Sequence, residues 1–277
     1  MFWKVLSQVA IPLVETIERL AYRRFYRFPF GRVPWATADE YREIWAEAKD
    51  KVYPVIDNYE KELNCSIDKD WYHALGLLTQ VVVKELDICY EHGRLLYATL
   101  GNYIRNNSYK SINVVETGTA RGFSALCMAR AFYDFNCEGK IMTFDVLPHD
   151  VKMLWNCIGD TSGSQTRSRL LKDYSDMIER FIVFHQGNTR LELKKVKMGR
   201  IHFVFLDGEH LYDYVKREFD CIKDQQRKGD VMFFDDYTPA YFPGIVKAVD
   251  EICDRYNYSK RVVTVNEQRG YVVAYKR

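Results

Sequence analysis

The chain of 277 residues lacks a surplus of charge of either sign, internal repeats and low-complexity segments. Lysine and arginine number 40 against 38 aspartates and glutamates, so the net charge is only +2. With no basic domain and no RNA-binding motif, this balance argues against a nucleic-acid-binding protein. The content of 47% hydrophobic residues is enough for one large core or for a core with an appended helical bundle.

Paired cysteines and long apolar runs are also absent. The seven cysteines occur singly, without a C-x-x-C pair, which favours reduced thiols in the core of a cytoplasmic protein. The longest apolar run, residues 9–14, is too short to cross a bilayer. The same region has no small-residue cleavage site, which argues against a signal peptide.

An amphipathic, basic segment is present at the N-terminus, over residues 1–32. Its apolar residues recur on one helical face, and its arginines accumulate towards the end, at Arg19, Arg23, Arg24, Arg27 and Arg32. Such a helix can lie on an anionic lipid surface, and one reading is therefore peripheral contact with the inner face of a membrane. The alternative is that the same face packs on neighbouring helices or on a second subunit.

Helical patterns continue through the rest of a predicted N-terminal helical region, residues 1–110. Thr37 and Glu40 form a capping-box pattern that predicts a helix start, and Pro54 should end or kink that helix. A second helical stretch is predicted over residues 71–104, where apolar residues share one face.

From residue 111 to 277, short apolar runs alternate with amphipathic helical patterns. Near-continuous apolar runs are typical of strands buried on both faces, and the alternation predicts an α/β fold with a doubly wound, largely parallel sheet. The last two runs should form an antiparallel hairpin. The predicted strands are 112–116, 140–145, 181–186, 201–207, 230–235, 260–266 and 270–275, and the predicted helices are 122–134, 167–179, 210–226 and 243–256.

The first of these strands ends at Glu116, and a glycine loop leads from there into a helix. Gly118 and Gly122 give the spacing E-x-G-x-x-x-G, which differs from the G-x-G-x-x-G of dinucleotide-binding proteins. A glycine loop followed by a helix start directs backbone N–H groups and the positive end of the helix to one point. That point suits a ligand that carries carboxylate and hydroxyl groups.

Acidic residues follow the next strands at the corresponding positions: Asp145, Asp207 and the pair Asp235-Asp236. Ligands of parallel sheets bind beyond the carboxyl ends of the strands, which is where these acids are expected. Any one of them could simply cap a helix. A series after nearly every strand is harder to explain by capping alone.

Together these residues resemble the class I S-adenosylmethionine-dependent methyltransferases, most closely the metal-dependent sugar O-methyltransferases of the macrocin and aminocoumarin type. The resemblance spans about residues 111–275 and implies a Rossmann-like, seven-stranded fold. It rests on Glu116-x-Gly118-x-x-x-Gly122, Asp145, Asp207-Gly208-x-His210 and Asp235-Asp236-Tyr237. Two positions depart from the family pattern: Ala120 stands where a glycine is common, and Asn188 where an acid is frequent.

The resemblance implies a site for S-adenosylmethionine. Asp145 should accept hydrogen bonds from both ribose hydroxyls, Ser124 should bind the methionine carboxylate, and Asn188 should lie near the adenine. Ser124 and Asn188 would serve equally well as local caps. The methionine pocket is expected to be shaped by Glu116, Thr117, Gly118 and Gly122.

A Mg²⁺ site is predicted next to the cofactor. Asp207, Asp235 and Asp236 offer hard oxygen ligands from two strand ends, and a vicinal diol of the acceptor could complete the coordination. His210 is the candidate general base, with Asp207 as the other candidate, because an imidazole can accept a proton at neutral pH. The alternative is that these aspartates cap helices or are structural, and that His210 merely forms a hydrogen bond.

Residues 146–166 form an insertion, and a loop of this length beside an active site is typical of a lid. His149, Trp155 and Tyr237 are candidate substrate contacts. Trp155 could stack on a sugar face or anchor the loop by burial, and the sequence leaves both open.

The leading prediction is a cytoplasmic, Mg²⁺-dependent O-methyltransferase that acts on a hydroxyl of a sugar or glycan-type acceptor, either a small molecule or a glycan, with room for a homo-oligomer. One alternative is a related-fold enzyme of another reaction type, such as a hydroxylase. Such an enzyme usually needs two histidines and a carboxylate for iron, and His202 and His210 are not an obvious pair. The second alternative is a non-catalytic scaffold anchored to a membrane or a partner by the N-terminal helix.

Overall fold

The computed structural model describes residues 16, 17, 20 and 28–277, so most of the helix predicted over 1–32 lies outside the described residues. Within the continuously described residues 28–277, four helices precede the sheet: α1 (Ala38–Lys49), α2 (Pro54–Leu63), α3 (Lys69–Thr79) and α4 (His92–Arg105). The capping box at α1 is present, since the Thr37 hydroxyl accepts from the Glu40 N–H at 3.3 Å and the Glu40 carboxylate accepts from the Thr37 N–H at 2.7 Å. Pro54 is the first residue of α2, where its fixed φ suits a helix start.

The prediction of continuous helix over 71–104 is wrong in its middle, because residues 80–91 leave the helix between α3 and α4. The β-branched run Val81–Val83 has a low helix propensity. In addition, Asn156 takes the backbone groups of Val83: the Val83 N–H donates to Asn156 Oδ1 at 3.1 Å, and Asn156 Nδ2 donates to the Val83 carbonyl at 2.9 Å. A contact that is distant in sequence therefore replaces the helical hydrogen bonds.

Seven strands form one sheet, and the predicted fold class is confirmed. The strands are β1 (Ile112–Thr117), β2 (Gly139–Asp145), β3 (Ile182–Gln186), β4 (Phe203–Leu206), β5 (Val231–Phe234), β6 (Tyr258–Asn266) and β7 (Arg269–Lys276). Their order is β3-β2-β1-β4-β5-β7-β6. The first five strands are parallel, and β7 lies antiparallel to both β5 and β6.

Helices cover both faces of the sheet. They are α5 (Phe123–Asp134), α6 (Arg167–Leu170), α7 (Ser175–Phe181), α8 (Thr189–Glu192), α9 (Tyr212–Ile222) and α10 (Pro243–Arg255). The helix predicted over 167–179 is divided, because a 3₁₀ turn at Lys172–Tyr174 separates α6 from α7. One hydrophobic core joins the sheet to α2–α5, and a second joins it to α9 and α10.

The strand register aligns the carboxyl ends of the central strands. Thr117 of β1 pairs with Phe144 of β2 and with Leu206 of β4, and Leu206 pairs with Phe234 of β5. The loops that follow these strands therefore begin side by side along one edge of the sheet.

Two further observations bear on the sequence-based expectations. All seven cysteines are free thiols, and all except Cys221 are buried. Among the described residues, no helix combines the length and the apolar character that a bilayer crossing requires.

Candidate active site

The glycine loop after β1 lies against the loop after β4. Gly118 has a φ of +89°, and a Cβ atom at this position would lie 1.9 Å from the Asp207 carbonyl oxygen, so only glycine fits. Ala120 also has a left-handed backbone, with a φ of 43°. Its N–H donates to Asp145 Oδ2 at 2.5 Å, which joins the glycine loop to the end of β2.

Glu116 is fully buried at the end of β1. Burial raises the pKa of its carboxyl to about 7, although hydrogen bonds from the Ser124 and Thr143 hydroxyls lower it. Because Ser124 donates its proton to Glu116, the hydroxyl has a structural partner as well as its predicted role at the methionine carboxylate. That role remains a prediction.

A cleft of about 420 Å³ lies between the loops after β1, β2, β3 and β4, and both Asp145 and Asn188 line it. Asp145 Oδ1 accepts from the Leu147 N–H at 2.8 Å, and burial raises the pKa of this carboxyl. Each carboxylate oxygen keeps a further lone pair for a ligand. Asn188 caps α8 by accepting from the Arg190 N–H at 3.0 Å, so it occupies both the cap and the cleft position.

Asp207 and His210 also line this cleft, and Asp236 lies next to them. His210 Nε2 lies 2.7 Å from Asp236 Oδ2 and 3.8 Å from Asp207 Oδ1, and one potential ligand atom from each residue lies within 4.8 Å of the others. The neighbouring carboxylates of Asp207 and Asp236 raise the pKa of His210 to about 10. The imidazole is therefore positively charged at neutral pH and is stacked on Phe242, with the ring centroids 4.9 Å apart.

Asp235, the third predicted metal ligand, forms a hydrogen bond with the backbone of Asp236 and is not part of the group formed by Asp207, His210 and Asp236. Its Oδ1 accepts from the Asp236 N–H at 2.7 Å, and burial raises the pKa of the Asp235 carboxyl well above its ordinary value. Burial also acts to raise the pKa of Asp236, but the hydrogen bond to His210 and the charge of Arg269 bring it below its ordinary value. The structure thus brings two of the three predicted ligands together with the predicted base.

Arg269 is a site residue that the sequence did not indicate. Its Nη1 donates to Asp236 Oδ1 at 2.9 Å. The residue begins β7, and the pairing of β7 with β5 carries it back to the catalytic edge, where the Tyr237 N–H also donates to the Gly270 carbonyl at 2.8 Å. The local sequence signals only a hairpin turn, so the contact follows from strand order alone.

Glu218 is a second unpredicted residue close to the cleft. It is buried in α9 and accepts hydrogen bonds from the hydroxyls of Thr117, at 3.0 Å, and Thr189, at 2.5 Å. Burial raises the pKa of Glu218 to about 7. A sequence signal existed, because this acid stands beside Phe219 on the apolar face of the helix.

The three predicted substrate contacts all have partners within the protein. Trp155 is fully buried, and its indole N–H donates to the Gln165 carbonyl at 2.8 Å, which favours the loop-anchoring alternative. The His149 ring contacts the Arg167 guanidinium. The Tyr237 hydroxyl donates to the Asp250 carboxylate at 2.7 Å.

The two histidines that an iron site would need lie at opposite ends of β4. His202 precedes the strand, where its Nδ1 accepts from the Asn113 N–H at 3.0 Å, whereas His210 follows the strand. This separation disfavours the hydroxylase-like alternative.

The strand order, the antiparallel final hairpin and the cleft at the carboxyl edge define the class I methyltransferase architecture. Residues 115–237 match a family model described as a methyltransferase domain. The recognition made from the sequence is thereby confirmed: the chain contains a methyltransferase domain and has the class I fold. The non-catalytic scaffold alternative is set aside.

Solved structures share this fold at low sequence identity. The O-methyltransferase NovP superposes with a TM-score of 0.53 and 16% identity, over 70% of this chain and 84% of NovP. TomG from Streptomyces achromogenes, an O-methyltransferase in complex with SAM, gives 0.53 and 17%, over 80% and 95%. An O-methyltransferase from Bacillus cereus in complex with SAH gives 0.51 and 14%, over 87% and 100%. No curated protein sequence matches the chain significantly.

Proposed function

We propose that the protein transfers a methyl group to a hydroxyl of a sugar or glycan-type acceptor, with the help of a divalent cation such as Mg²⁺. The observation that carries this proposal is the convergence of Asp207, His210 and Asp236 within 4.8 Å, beside the cleft that contains Asp145. The neighbours in fold that are named O-methyltransferases support oxygen as the acceptor atom.

The residues at this point fit a divalent cation. Asp207 and Asp236 each offer carboxylate oxygens, and both burial and the charge of Asp236 raise the pKa of Asp207. A further positive charge would relieve that repulsion. Mg²⁺ takes few protein carboxylates and fills its remaining positions with water and substrate oxygens, and it would polarise the acceptor hydroxyl.

The residues of this chain would bind the donor and activate the acceptor. The donor needs little activation, because its leaving thioether is neutral, whereas an alcohol must lose its proton to become a nucleophile. Asp145 would hold the ribose, and His210 would take the hydroxyl proton. His210 can do so only when its two carboxylates share their charge with another cation, because they now hold its pKa at about 10.

Metal titration tests the proposal without knowledge of the acceptor. In calorimetry of metal-stripped protein, the wild type and Asp213→Asn, an exposed control, should bind one Mg²⁺ or Mn²⁺. Asp236→Asn should lose that binding, because an amide keeps the shape but removes the charge. The wild type and both variants should still bind S-adenosylhomocysteine.

Methyl transfer from labelled S-adenosylmethionine to a panel of sugars and glycosides tests the chemical step. EDTA should abolish the transfer. His210→Ala should keep metal binding and lower the rate by roughly 10²–10⁴-fold, as expected for a lost general base. Full transfer after exhaustive metal removal would contradict the metal-dependent mechanism and, with it, the diol argument for a sugar.

We further propose that residues 1–32 make peripheral contact with an anionic membrane at its cytoplasmic face. Support comes from the described residues at the end of this segment and just after it. Val33 and Trp35 are 71% and 55% exposed, and the Arg32 guanidinium lies 4.5 Å from the centroid of the exposed Phe28 ring.

The division into a helical region over 1–110 and a methyltransferase domain over 111–277, with residues 146–166 as a lid, also remains our proposal.

A further inference from the structure

Ala120 stands in the glycine loop with a backbone shape that suits glycine better. Its φ of 43° lies in the left-handed region, which costs an alanine free energy that a glycine does not lose. Hydrogen bonds hold the residue from both sides. Its N–H donates to Asp145 Oδ2 at 2.5 Å, and its carbonyl accepts from Arg167 Nε at 3.0 Å.

Arg167 is fixed in its own place by burial. The residue is 1% exposed, and its guanidinium lies 5.4 Å from the ring centroids of both Trp155 and Phe184. Its Nη1 contacts His149, while its Nη2 has no hydrogen-bond partner among the described residues. Burial lowers the pKa of Arg167 to about 10, and the charges of Asp145 and Glu116 offset part of that change.

A second arginine makes the reverse connection, from the glycine loop to the insertion. Arg121 Nε donates to the Trp155 carbonyl at 2.5 Å, and its guanidinium lies 4.8 Å from the centroid of the Phe30 ring. The glycine loop and the segment 155–167 are therefore held to each other by two buried arginines, each bonded to a backbone carbonyl of the other segment.

We propose that Arg167 is a positioning residue of the cofactor site. By holding the Ala120 carbonyl, it keeps the Ala120 N–H directed at Asp145, and so fixes the carboxylate that would bind the ribose of S-adenosylmethionine. This arrangement explains how an alanine can occupy a left-handed position in the loop. The inference rests on the assignment of the cleft as the cofactor site.

Calorimetry with S-adenosylhomocysteine tests the role of Arg167. Arg167→Gln should weaken binding by about tenfold or more, because it removes a charged donor from a buried carbonyl. Arg167→Lys should give an intermediate loss, since it keeps the charge but not the Nε geometry. Arg169→Gln, an exposed change in the same short helix, should stay within about twofold of the wild type.

A rescue experiment separates positioning from general stability. Ala120→Gly in the Arg167→Gln background should recover much of the lost affinity, because glycine adopts the loop conformation without the second hydrogen bond. If Arg167→Gln does not fold, the same comparison is made with Arg167→Lys.

Equal affinities for the Arg167 and Arg169 variants would overturn the inference. So would an affinity loss that Ala120→Gly does not reduce. Absence of binding by the wild type would be a different result: it would overturn the cofactor assignment itself, and the role of Arg167 with it.

Discussion

At the residue scale, the burial of Glu116 disfavours the ionised form of its carboxyl group. Burial raises the pKa of its carboxyl from 4.5 to about 7, and the hydroxyls of Ser124 and Thr143 offset only part of that change. The folded state therefore holds the proton more tightly than the unfolded chain does. The free energy of unfolding should fall as the pH rises from about 4.5 to about 7, by roughly 3 kcal/mol for this one group.

Glu116→Gln isolates this effect, because glutamine keeps the shape and does not ionise. Urea unfolding at pH 5 and pH 8 should show a drop in stability for the wild type that is smaller by roughly 3 kcal/mol in the variant. Glu85→Gln, a change at an exposed position, should follow the wild type. The same pH dependence in all three proteins would show that Glu116 is already ionised at pH 5.

At the element scale, the strands and helices that could be predicted were those whose apolar residues form a run or recur at regular spacing. The strands were predicted from their apolar runs, and Asp207, Asp236 and His210 were identified because they follow the ends of two of these runs. The break between α3 and α4 was not predicted, because it depends on Asn156, which lies far along the chain and binds the Val83 backbone.

The N-terminal segment, residues 1–32, has two candidate partners, an anionic membrane and a second copy of the chain, and sedimentation with vesicles distinguishes them. Vesicles that contain anionic lipid should retain the protein at low salt, because about five arginines each add attraction of roughly 1 kcal/mol near the surface. Deletion of residues 1–32 should release it, and replacing Val33 and Trp35 with aspartate should weaken the retention. Val262→Asp, at an exposed position on β6, is the matched control.

Equal sedimentation with neutral and anionic vesicles would contradict membrane contact. Concentration-dependent self-association in ultracentrifugation, lost on the same deletion, would then assign the segment to an interface between two copies of the chain.

At the scale of the whole molecule, the site is assembled by strand order. The parallel strands bring Glu116, Asp145 and Asp207 to one edge, and the antiparallel hairpin returns Arg269 to Asp236. The first three follow apolar runs and are visible in the sequence. Arg269 has no local signal, because its partner is determined by which strand lies beside β5.

The central claim is that the cleft containing Asp145 binds S-adenosylmethionine. Calorimetry of S-adenosylhomocysteine binding to the full chain tests this claim most directly. The wild type should bind one equivalent. Asp145→Ala should lose about 1.5–3 kcal/mol for each charge-assisted hydrogen bond to the ribose, whereas Asp150→Ala, an exposed change five residues later, should bind normally. Absence of binding by the folded wild type, with NAD bound instead, would contradict the account.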